Sequence, residues 1–331
     1  MTLSTSKIGV IGAGAWGTAL AQVLSQDQEE LLLWARETEV AADINRRHEN
    51  MIFLPGHALN PHIRATSDLA ELATCEILLI VTPAQYLRAS LAALPDSRAT
   101  LILCSKGIEE STQLLMSEIV QDIRPDNALA VLSGPTFAHE VVQGLPTALT
   151  LACASEQIWN DLYPSIAKPM FRPYFSDDII GAEIGGAVKN VLAIGCGVVD
   201  GAGLGQNARA SIISRGFAEM LRYGVARGAR TETLSGLCGL GDLVLTCSST
   251  RSRNFSLGKG LGEGQSAEEM LADRATVAEG AATAPVLQKD AHLRGIDMPI
   301  VDAVCALLAG QTDSRSIVAQ LMGRPLVSEQ R

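Results

Sequence analysis

A lysine interrupts the apolar segment EIGGAVKNVLAIGCGVV, which begins at Glu183. After that glutamate, Lys189 and Asn190 are the only polar residues of the segment. Burying an ammonium group costs several kcal/mol unless it is paired or neutralised, and desolvation lowers the pKa of a lysine. Lys189 is therefore a candidate general acid or base near neutral pH, with Asn190 placed to orient a substrate oxygen or the ammonium group of Lys106. The alternative for Lys189 is a structural ion pair with Glu183 or Asp242.

Two segments carry suitable polar groups directly after apolar runs. In LCSKGIE, Lys106 follows a predicted strand and would lie at the carboxyl edge of a sheet, where α/β proteins bind ligands. In SGPTFAHEV, Gly134, Pro135 and Thr136 open a helix whose N–H groups can receive an anion. The alternative for Lys106 is an ordinary solvated strand end.

The second half of the chain adds an acid and a basic cluster. GLGDLVLTC places Asp242 and Thr246 four residues apart, on one face if the stretch is helical. STRSRNFS offers Arg251, Arg253 and Asn254 among hydroxyl groups, a combination suited to a phosphate. The alternatives are a helix N-cap for Asp242 and a solvated basic loop for the arginines.

A glycine-rich turn near the N-terminus predicts a dinucleotide site. VIGAGAWGTALA contains the pattern G-x-G-x-x-G at Gly12, Gly14 and Gly17, between a predicted strand and a predicted helix. The first glycine permits a tight turn, the second lets backbone N–H groups approach a pyrophosphate, and the third lets helix and strand pack closely. A turn without ligand is the alternative reading of such a pattern.

The end of the second predicted strand bears on the choice of coenzyme. LLLWARE has Ala35 and Arg36 where an NAD-selective site usually has an acid for the ribose 2'-hydroxyl. Arg36 is suited to a 2'-phosphate, which favours NADP, whereas Glu37 keeps NAD possible. An exposed arginine that stacks on adenine or faces solvent is the alternative.

The elements that must position these groups divide the chain in two. Apolar strands alternate with helical segments up to about Asp178, which predicts a doubly wound parallel sheet of the Rossmann type. Helical periodicity then takes over, so we predict a dinucleotide-binding domain over residues 1–181 and an all-helical substrate domain over residues 182–331. The predicted strands are 8–12, 31–35, 76–82, 100–105, 129–134 and 147–153, and the predicted helical segments are 15–26, 84–95, 112–123, 207–228, 279–295, 299–310 and 315–323.

Composition excludes several classes of function. The formal net charge of −10 argues against general nucleic-acid binding, which needs a basic face. The absence of a signal peptide and of an uninterrupted membrane-length apolar run predicts a cytoplasmic protein without membrane insertion. Seven scattered cysteines without a metal-binding spacing predict thiols that form no disulfides, and no metal site. The apolar segment 299–310 would fit a dimer surface or the core of its own domain, and we predict a homodimer.

Taken together, these segments resemble the bacterial type of the NAD(P)-dependent sn-glycerol-3-phosphate dehydrogenase family. The resemblance rests on GAGAWGTALA, NMIFLPG, SKGIE, SGPTFAHEV, GAVKNVLAIGCGVVDGAGLGQNARA, GLGDLVLTCSSTRSRN and TVAEGAATA, which occur in the family's order over nearly the whole chain. It implies a Rossmann domain followed by an all-helical domain similar to that of 6-phosphogluconate dehydrogenase. Ala15 stands where many members carry serine.

The resemblance also implies a role for each matching residue. Lys189 matches the proton acceptor, Lys106 a lysine that contacts substrate and cofactor, and Asp242 an acid that positions the catalytic lysine with the help of Thr246. The implied substrate contacts are Lys106, Gly134, Thr136, Lys189, Asn190, Asp242, Ser252, Arg253 and Asn254. The implied cofactor contacts are Gly12, Gly14, Ala15, Trp16, Gly17, Arg36, Lys106, Ala138, Arg253, Val277 and Glu279.

The implied reaction is reversible hydride transfer between sn-glycerol 3-phosphate and dihydroxyacetone phosphate, with a product that feeds phospholipid synthesis. A 3-hydroxyacid or 6-phosphogluconate type of dehydrogenase is the nearest alternative and would bind a carboxylate. A non-catalytic NAD(P)-sensing protein would keep the glycines and lose the lysines, yet both lysines and Asp242 are present.

Overall fold

A computed structural model gives residues 6–271 and 278–323 of the chain. Their strands form one eight-stranded sheet in the order β3-β2-β1-β4-β5-β6-β7-β8. The strands are β1 (Ile8–Ile11), β2 (Leu31–Trp34), β3 (Ile63–Thr66), β4 (Ile77–Ile80), β5 (Thr100–Leu103), β6 (Leu129–Ser133), β7 (Thr147–Cys153) and β8 (Phe171–Ser176). The α/β fold predicted from the sequence is confirmed.

Two edge strands escaped the sequence prediction, and the pairing of a third differs from it. β3 and β8 contain arginine, and β8 alternates buried and exposed positions, so neither has the continuous apolar run of a central strand. The predicted parallel sheet has one exception, because β7 pairs antiparallel to β6. The connection between them holds a helix of only four residues, which is too short to carry the chain back along the sheet for a parallel crossover.

Along the chain, helices alternate with the strands up to β8, and within the described residues only helices follow β8. They are α1 (Ala15–Leu24), α2 (Thr38–Arg47), α3 (Leu87–Ala93), α4 (Met116–Ile123), α5 (Ala138–Val141), α6 (Glu156–Ile166), α7 (Ile179–Gly201), α8 (Gly205–Ala226), α9 (Thr231–Leu234), α10 (Asp242–Thr246), α11 (Arg253–Gly262), α12 (Ala267–Leu271), α13 (Glu279–Leu293), α14 (Pro299–Leu308) and α15 (Ser314–Met322). All seven helical segments predicted from the sequence are present.

The chain forms two compact units that are not the simple halves of the sequence. The first contains the residues up to Gly186 and also Arg227–Asp242, and the second contains Ala187–Ala226 and the residues from Leu243 on. The division therefore falls within α7 and again within α10. The domain boundary between residues 181 and 182, which the sequence suggested, stays a prediction.

Helix α7 is long and apolar enough to cross a membrane by length and composition. However, 89% of its most apolar window is buried within the protein, as in the core helix of a globular protein. In the second unit α7 packs directly on the backbone of α11: a Cβ at Gly197 would lie 2.0 Å from the carbonyl oxygen of Phe255, and one at Gly258 would lie 1.9 Å from that of Ile194. Glycine is required at both contacts because any side chain would force the helices apart.

A buried acid of the second unit predicts a pH dependence of stability. Glu219 of α8 accepts hydrogen bonds from the backbone N–H groups of Ile300 (2.8 Å) and Val301 (3.2 Å) at the start of α14. Burial nevertheless raises the pKa of Glu219 to about 7 from an ordinary value of 4.5. Because the folded-state pKa is the higher one, the contribution of Glu219 to stability is fully present below pH 4.5 and is lost as the pH rises through about 7.

The variant Glu219→Gln is neutral at every pH and should isolate this effect. We expect wild type and variant to have similar free energies of unfolding at pH 4.5, and the variant to be more stable by about 3 kcal/mol at pH 8. Urea denaturation between those pH values measures the difference. The exposed Glu269, whose pKa is lowered by the N–H and hydroxyl of Ser266, is the matched control, and its Gln variant should gain no stability at high pH. A Glu219→Gln difference that does not grow with pH would contradict the prediction.

Candidate active site

The turn from β1 into α1 has the conformation that a dinucleotide fingerprint requires. Gly12 has φ +119°, a left-handed conformation that favours glycine, and a Cβ at Gly17 would lie 1.8 Å from the carbonyl oxygen of Gly12. A Cβ at Gly14 would meet nothing within 4 Å, and no side chain caps α1 at this residue. The first N–H groups of the helix therefore have no side-chain cap, which fits a pyrophosphate held by the backbone of Ala15 and its neighbours.

A buried asparagine that the sequence analysis did not single out holds this turn in place. The Asn50 side-chain amide donates to the carbonyl oxygen of Ala13 and to the hydroxyl of Thr18, both at 2.8 Å, and Asn50 is 1% exposed. The carbonyl oxygen of the same amide accepts from the backbone N–H of Phe53 at 3.1 Å. No spacing rule connects residue 50 with residue 13, so only the folded chain reveals the contact.

Replacing Asn50 by alanine should weaken coenzyme binding. The change leaves Ala13 O with only the longer hydrogen bond from the Thr18 hydroxyl (3.3 Å) and loosens the turn, so we expect the Kd for NADPH to rise about tenfold, the loss of roughly one hydrogen bond's free energy. Asn45 is the matched control, because its amide makes two backbone hydrogen bonds to Ala65 of β3, both 2.8 Å long. Both variants should lower the melting temperature, but Asn45→Ala should bind NADPH with nearly the wild-type Kd. Fluorescence titration with NADPH measures this, and equal Kd values for the two variants would contradict the role of Asn50.

The arginine predicted to face a 2'-phosphate lies just beyond β2. The guanidinium of Arg36 forms an ion pair with Glu37 at 2.6 Å, and the arginine side chain is 73% exposed. A pair this exposed is worth little free energy, so a phosphate could replace the carboxylate. Arg36, which suits NADP, and Glu37, which suits NAD, lie side by side, so the site is compatible with both coenzymes.

Lys106 and Asp242 form a buried ion pair in the first unit. The Lys106 ammonium lies 2.7 Å from Asp242 Oδ2, and the two side chains are 16% and 0% exposed. Lys106 follows β5 at its carboxyl end, while Asp242 follows the π-helical turn Leu237–Gly241 and begins α10. The structure thus joins two candidates that are 136 residues apart in the sequence.

Lys189 donates a hydrogen bond within the second unit. Its ammonium donates to the Thr246 hydroxyl at 2.9 Å, and Lys189 and Thr246 are only 6% and 4% exposed. Glu183, one of the two acids that the sequence offered as a partner of Lys189, accepts hydrogen bonds from the Ser117 N–H (2.7 Å) and hydroxyl (2.5 Å) in the first unit. Burial raises the pKa of Glu183 to about 7.

A chain of amide hydrogen bonds connects further predicted substrate residues. The Asn254 side-chain amide donates to Asn190 Oδ1 at 3.0 Å and accepts from the backbone N–H of Gly280 at 2.9 Å. Asn190 and Asn254 are both buried. In the structure, Asn190 Oδ1 therefore accepts a hydrogen bond from another side chain of the second unit.

The start of α11 has the features of an anion site. The Ser252 hydroxyl caps the helix by accepting from the N–H of Phe255 at 3.2 Å, and Arg253 is exposed at the first helical position. In the described part of the chain Arg253 makes no ion pair, so its guanidinium is available to a phosphate together with the helix N-terminus.

The remaining candidates lie at three places. Gly134 and Thr136 line a small cavity of the first unit with Trp16, Lys106, Leu132, Ser133 and Leu149. Ala138 begins α5, and Glu279 begins α13 beside Gly280. Val277, predicted as a cofactor contact, lies outside the described residues. Within the described residues no cluster of three or more His, Cys, Asp or Glu side chains could hold a metal ion, and the cysteines form no disulfide.

A Rossmann-type sheet with an open glycine turn, followed by a helical unit with a buried lysine, defines the class of NAD(P)-dependent dehydrogenases. Comparison with known proteins narrows this class. The N-terminal family of NAD-dependent glycerol-3-phosphate dehydrogenase matches residues 7–159, and the C-terminal family of the same enzyme matches residues 178–319. The chain belongs to the NAD-dependent glycerol-3-phosphate dehydrogenase family, as the resemblance in its sequence predicted.

Individual relatives agree over almost the whole length. The chain is 61% identical to a glycerol-3-phosphate dehydrogenase [NAD(P)+] of Erythrobacter litoralis over 98% of each chain, and 53% identical to one of Caulobacter vibrioides over 99% of this chain and all of the relative. Among solved structures it is similar to the glycerol-3-phosphate dehydrogenase of Coxiella burnetii, with a TM-score of 0.92 and 36% identity over 96% of this chain and 99% of the other.

Proposed function

We propose that this protein catalyses reversible hydride transfer between sn-glycerol 3-phosphate and dihydroxyacetone phosphate with NAD or NADP as coenzyme. Besides membership of the family, two contacts in the structure support the proposal. α10 begins at Asp242 and ends at Thr246; the first is paired with Lys106 and the second accepts a hydrogen bond from Lys189. Each of the two lysines for which a hydride-transfer reaction has a use is thus held by a partner within its own unit.

Each lysine has a separate task in this reaction. NAD(P)H supplies the hydride when it is bound at the glycine turn. Lys189 donates a proton to the carbonyl oxygen during reduction, and it accepts that proton during oxidation. The Lys106 ammonium stabilises the negative charge that develops on the same oxygen, and Asp242 fixes its position through their 2.7 Å contact.

The substrate phosphate is assigned to the start of α11. Arg253 and the N-terminus of the helix attract the dianion, and Asn254 is held by its two amide hydrogen bonds. Anchoring the phosphate positions the reacting carbon, which lowers the entropic part of the barrier. The other cofactor contacts inferred from the resemblance, among them Ala138, Val277 and Glu279, belong to the same proposal.

The first test is the loss of nicotinamide absorbance when dihydroxyacetone phosphate is added to the protein with NADPH or NADH. We expect oxidation with both coenzymes and a faster rate with NADPH, because Arg36 can exchange Glu37 for a 2'-phosphate. No oxidation by a protein that demonstrably binds the coenzymes would contradict the proposal and favour a carboxylate substrate instead. A faster rate with NADH would contradict the role of Arg36 alone.

We further propose that the protein is a cytoplasmic homodimer that supplies glycerol 3-phosphate for phospholipid synthesis. The buried residues of α14, Ile300, Val301, Ala303, Val304 and Leu307, support a core role for that face, so the dimer surface must lie elsewhere. Light scattering of the purified protein tests the dimer, and the mass of a single 34.9 kDa chain would contradict it.

A further inference from the structure

One polar atom of the first unit is buried at the predicted site without a partner. Ser133 ends β6 and is 3% exposed, and within the described residues its hydroxyl has no hydrogen-bond partner. Leaving a buried hydroxyl unsatisfied costs free energy, so native proteins do so rarely and mostly for a functional reason. The sequence motif SGPTF supplied Gly134 and Thr136 as candidates, but it gave no reason to select Ser133.

The surroundings of this hydroxyl show which way it faces. Ser133 lines the same small cavity as Lys106, Gly134 and Thr136. A Cβ built at Gly186 would lie 3.2 Å from Ser133 Oγ and 3.1 Å from Lys106 Cγ. The serine hydroxyl and the lysine side chain therefore converge on one bare stretch of the α7 backbone, where any side chain would press on both.

We propose that Ser133 is a further substrate contact, whose hydroxyl forms a hydrogen bond with a hydroxyl or carbonyl oxygen of the three-carbon substrate. The inference rests on the proposed function. A serine hydroxyl donates and accepts, so it suits an oxygen that alternates between alcohol and ketone. A phosphate group would instead favour cations such as Arg253. The apolar Leu132 and Leu149 also line the cavity, and a hydrogen bond is stronger in apolar surroundings than in water.

The variant Ser133→Ala removes the hydroxyl and keeps a small buried side chain. We expect kcat/KM for dihydroxyacetone phosphate to fall about tenfold, as for the loss of one neutral hydrogen bond, with the Kd for NADPH within about twofold of wild type. The melting temperature without substrate should not fall, because the hydroxyl has no protein partner among the described residues. Protection against thermal unfolding by sn-glycerol 3-phosphate should weaken, and this readout is independent of turnover.

The chain offers a matched control in Ser97, whose hydroxyl is also buried and has no partner among the described residues. Ser97 is not one of the residues that line the cavity. Ser97→Ala should therefore leave kcat/KM, coenzyme binding and substrate protection unchanged. Ser133→Cys, which keeps the volume but donates only weakly, should behave like Ser133→Ala and provides a second variant in case the first folds poorly.

The outcomes separate the inference from the function on which it rests. If the wild type turns over dihydroxyacetone phosphate and the kcat/KM of Ser133→Ala is within twofold of the wild-type value, the inference about Ser133 is wrong but the proposed function stands. A raised Kd for NADPH with unchanged substrate protection would also overturn it, because the hydroxyl would then contact the coenzyme. Absence of wild-type turnover and of protection by sn-glycerol 3-phosphate would overturn the proposed function itself.

Discussion

Replacing Lys189 by methionine is expected to lower kcat by about a thousandfold, the middle of the range for general acid–base catalysis, while coenzyme binding stays nearly intact. The methionine fills a similar volume but cannot donate a proton to the substrate oxygen or a hydrogen bond to Thr246. The measurement is steady-state turnover of dihydroxyacetone phosphate, combined with fluorescence titration of NADPH.

Lys168 provides a matched control for this variant. It is also a buried lysine, 8% exposed, and its ammonium lies 2.9 Å from Asp27 and donates to the Ser165 carbonyl oxygen at 3.1 Å. Lys168→Met should lower the melting temperature and keep kcat within about threefold of wild type, because its contacts lie outside the candidate site. If Lys189→Met retains more than about 5% of wild-type turnover, Lys189 is not the acid or base of the reaction.

Replacing Asp242 by asparagine is expected to have the second-largest effect. Its carboxylate is fully buried and 2.7 Å from the Lys106 ammonium, so the change removes the negative charge that lies next to this ammonium. Breaking such a pair typically costs about 3–5 kcal/mol of stability. We also expect kcat/KM to fall at least about a hundredfold, because Lys106 loses the contact that positions it to stabilise the developing charge.

An exposed ion pair of similar length provides the comparison for Asp242. Arg88 lies 2.6 Å from Asp122, whose side chain is 57% exposed. Asp122→Asn should change the free energy of unfolding by less than about 1 kcal/mol and leave kcat/KM unchanged, since solvent screens an exposed pair. Urea denaturation and initial rates measure both variants. Wild-type kcat/KM in a folded Asp242→Asn protein would contradict the role assigned to the pair.

The glycine turn could be predicted from the sequence because all its requirements are local. The tight turn at Gly12 and the close contact at Gly17 involve atoms within five residues of one another, and glycine is the residue that permits both. The central strands were also predictable, because a parallel strand covered on both faces must be apolar along its whole length. β3 and β8 were missed because an edge strand is under no such requirement.

Contacts between distant residues were beyond the sequence. The sequence did not offer Lys106 as a partner of Asp242, yet the structure places the two side chains 2.7 Å apart. Nor could the spacing of residues reveal that Asn50 holds the glycine turn, or that the Ser133 hydroxyl has no partner in the part of the chain that the structure describes. Each of these facts depends on which side chains share a small buried volume after folding.

The sequence by itself determined the fold class, the dinucleotide turn and the residue types that can transfer a proton or hold a phosphate. These follow from backbone geometry and side-chain chemistry, which act over a few residues. Only the tertiary structure decided that Lys106 pairs with Asp242 and Lys189 bonds to Thr246. The physical reason is that burial and pairing depend on distances of about 3 Å between atoms that the chain brings together from far apart.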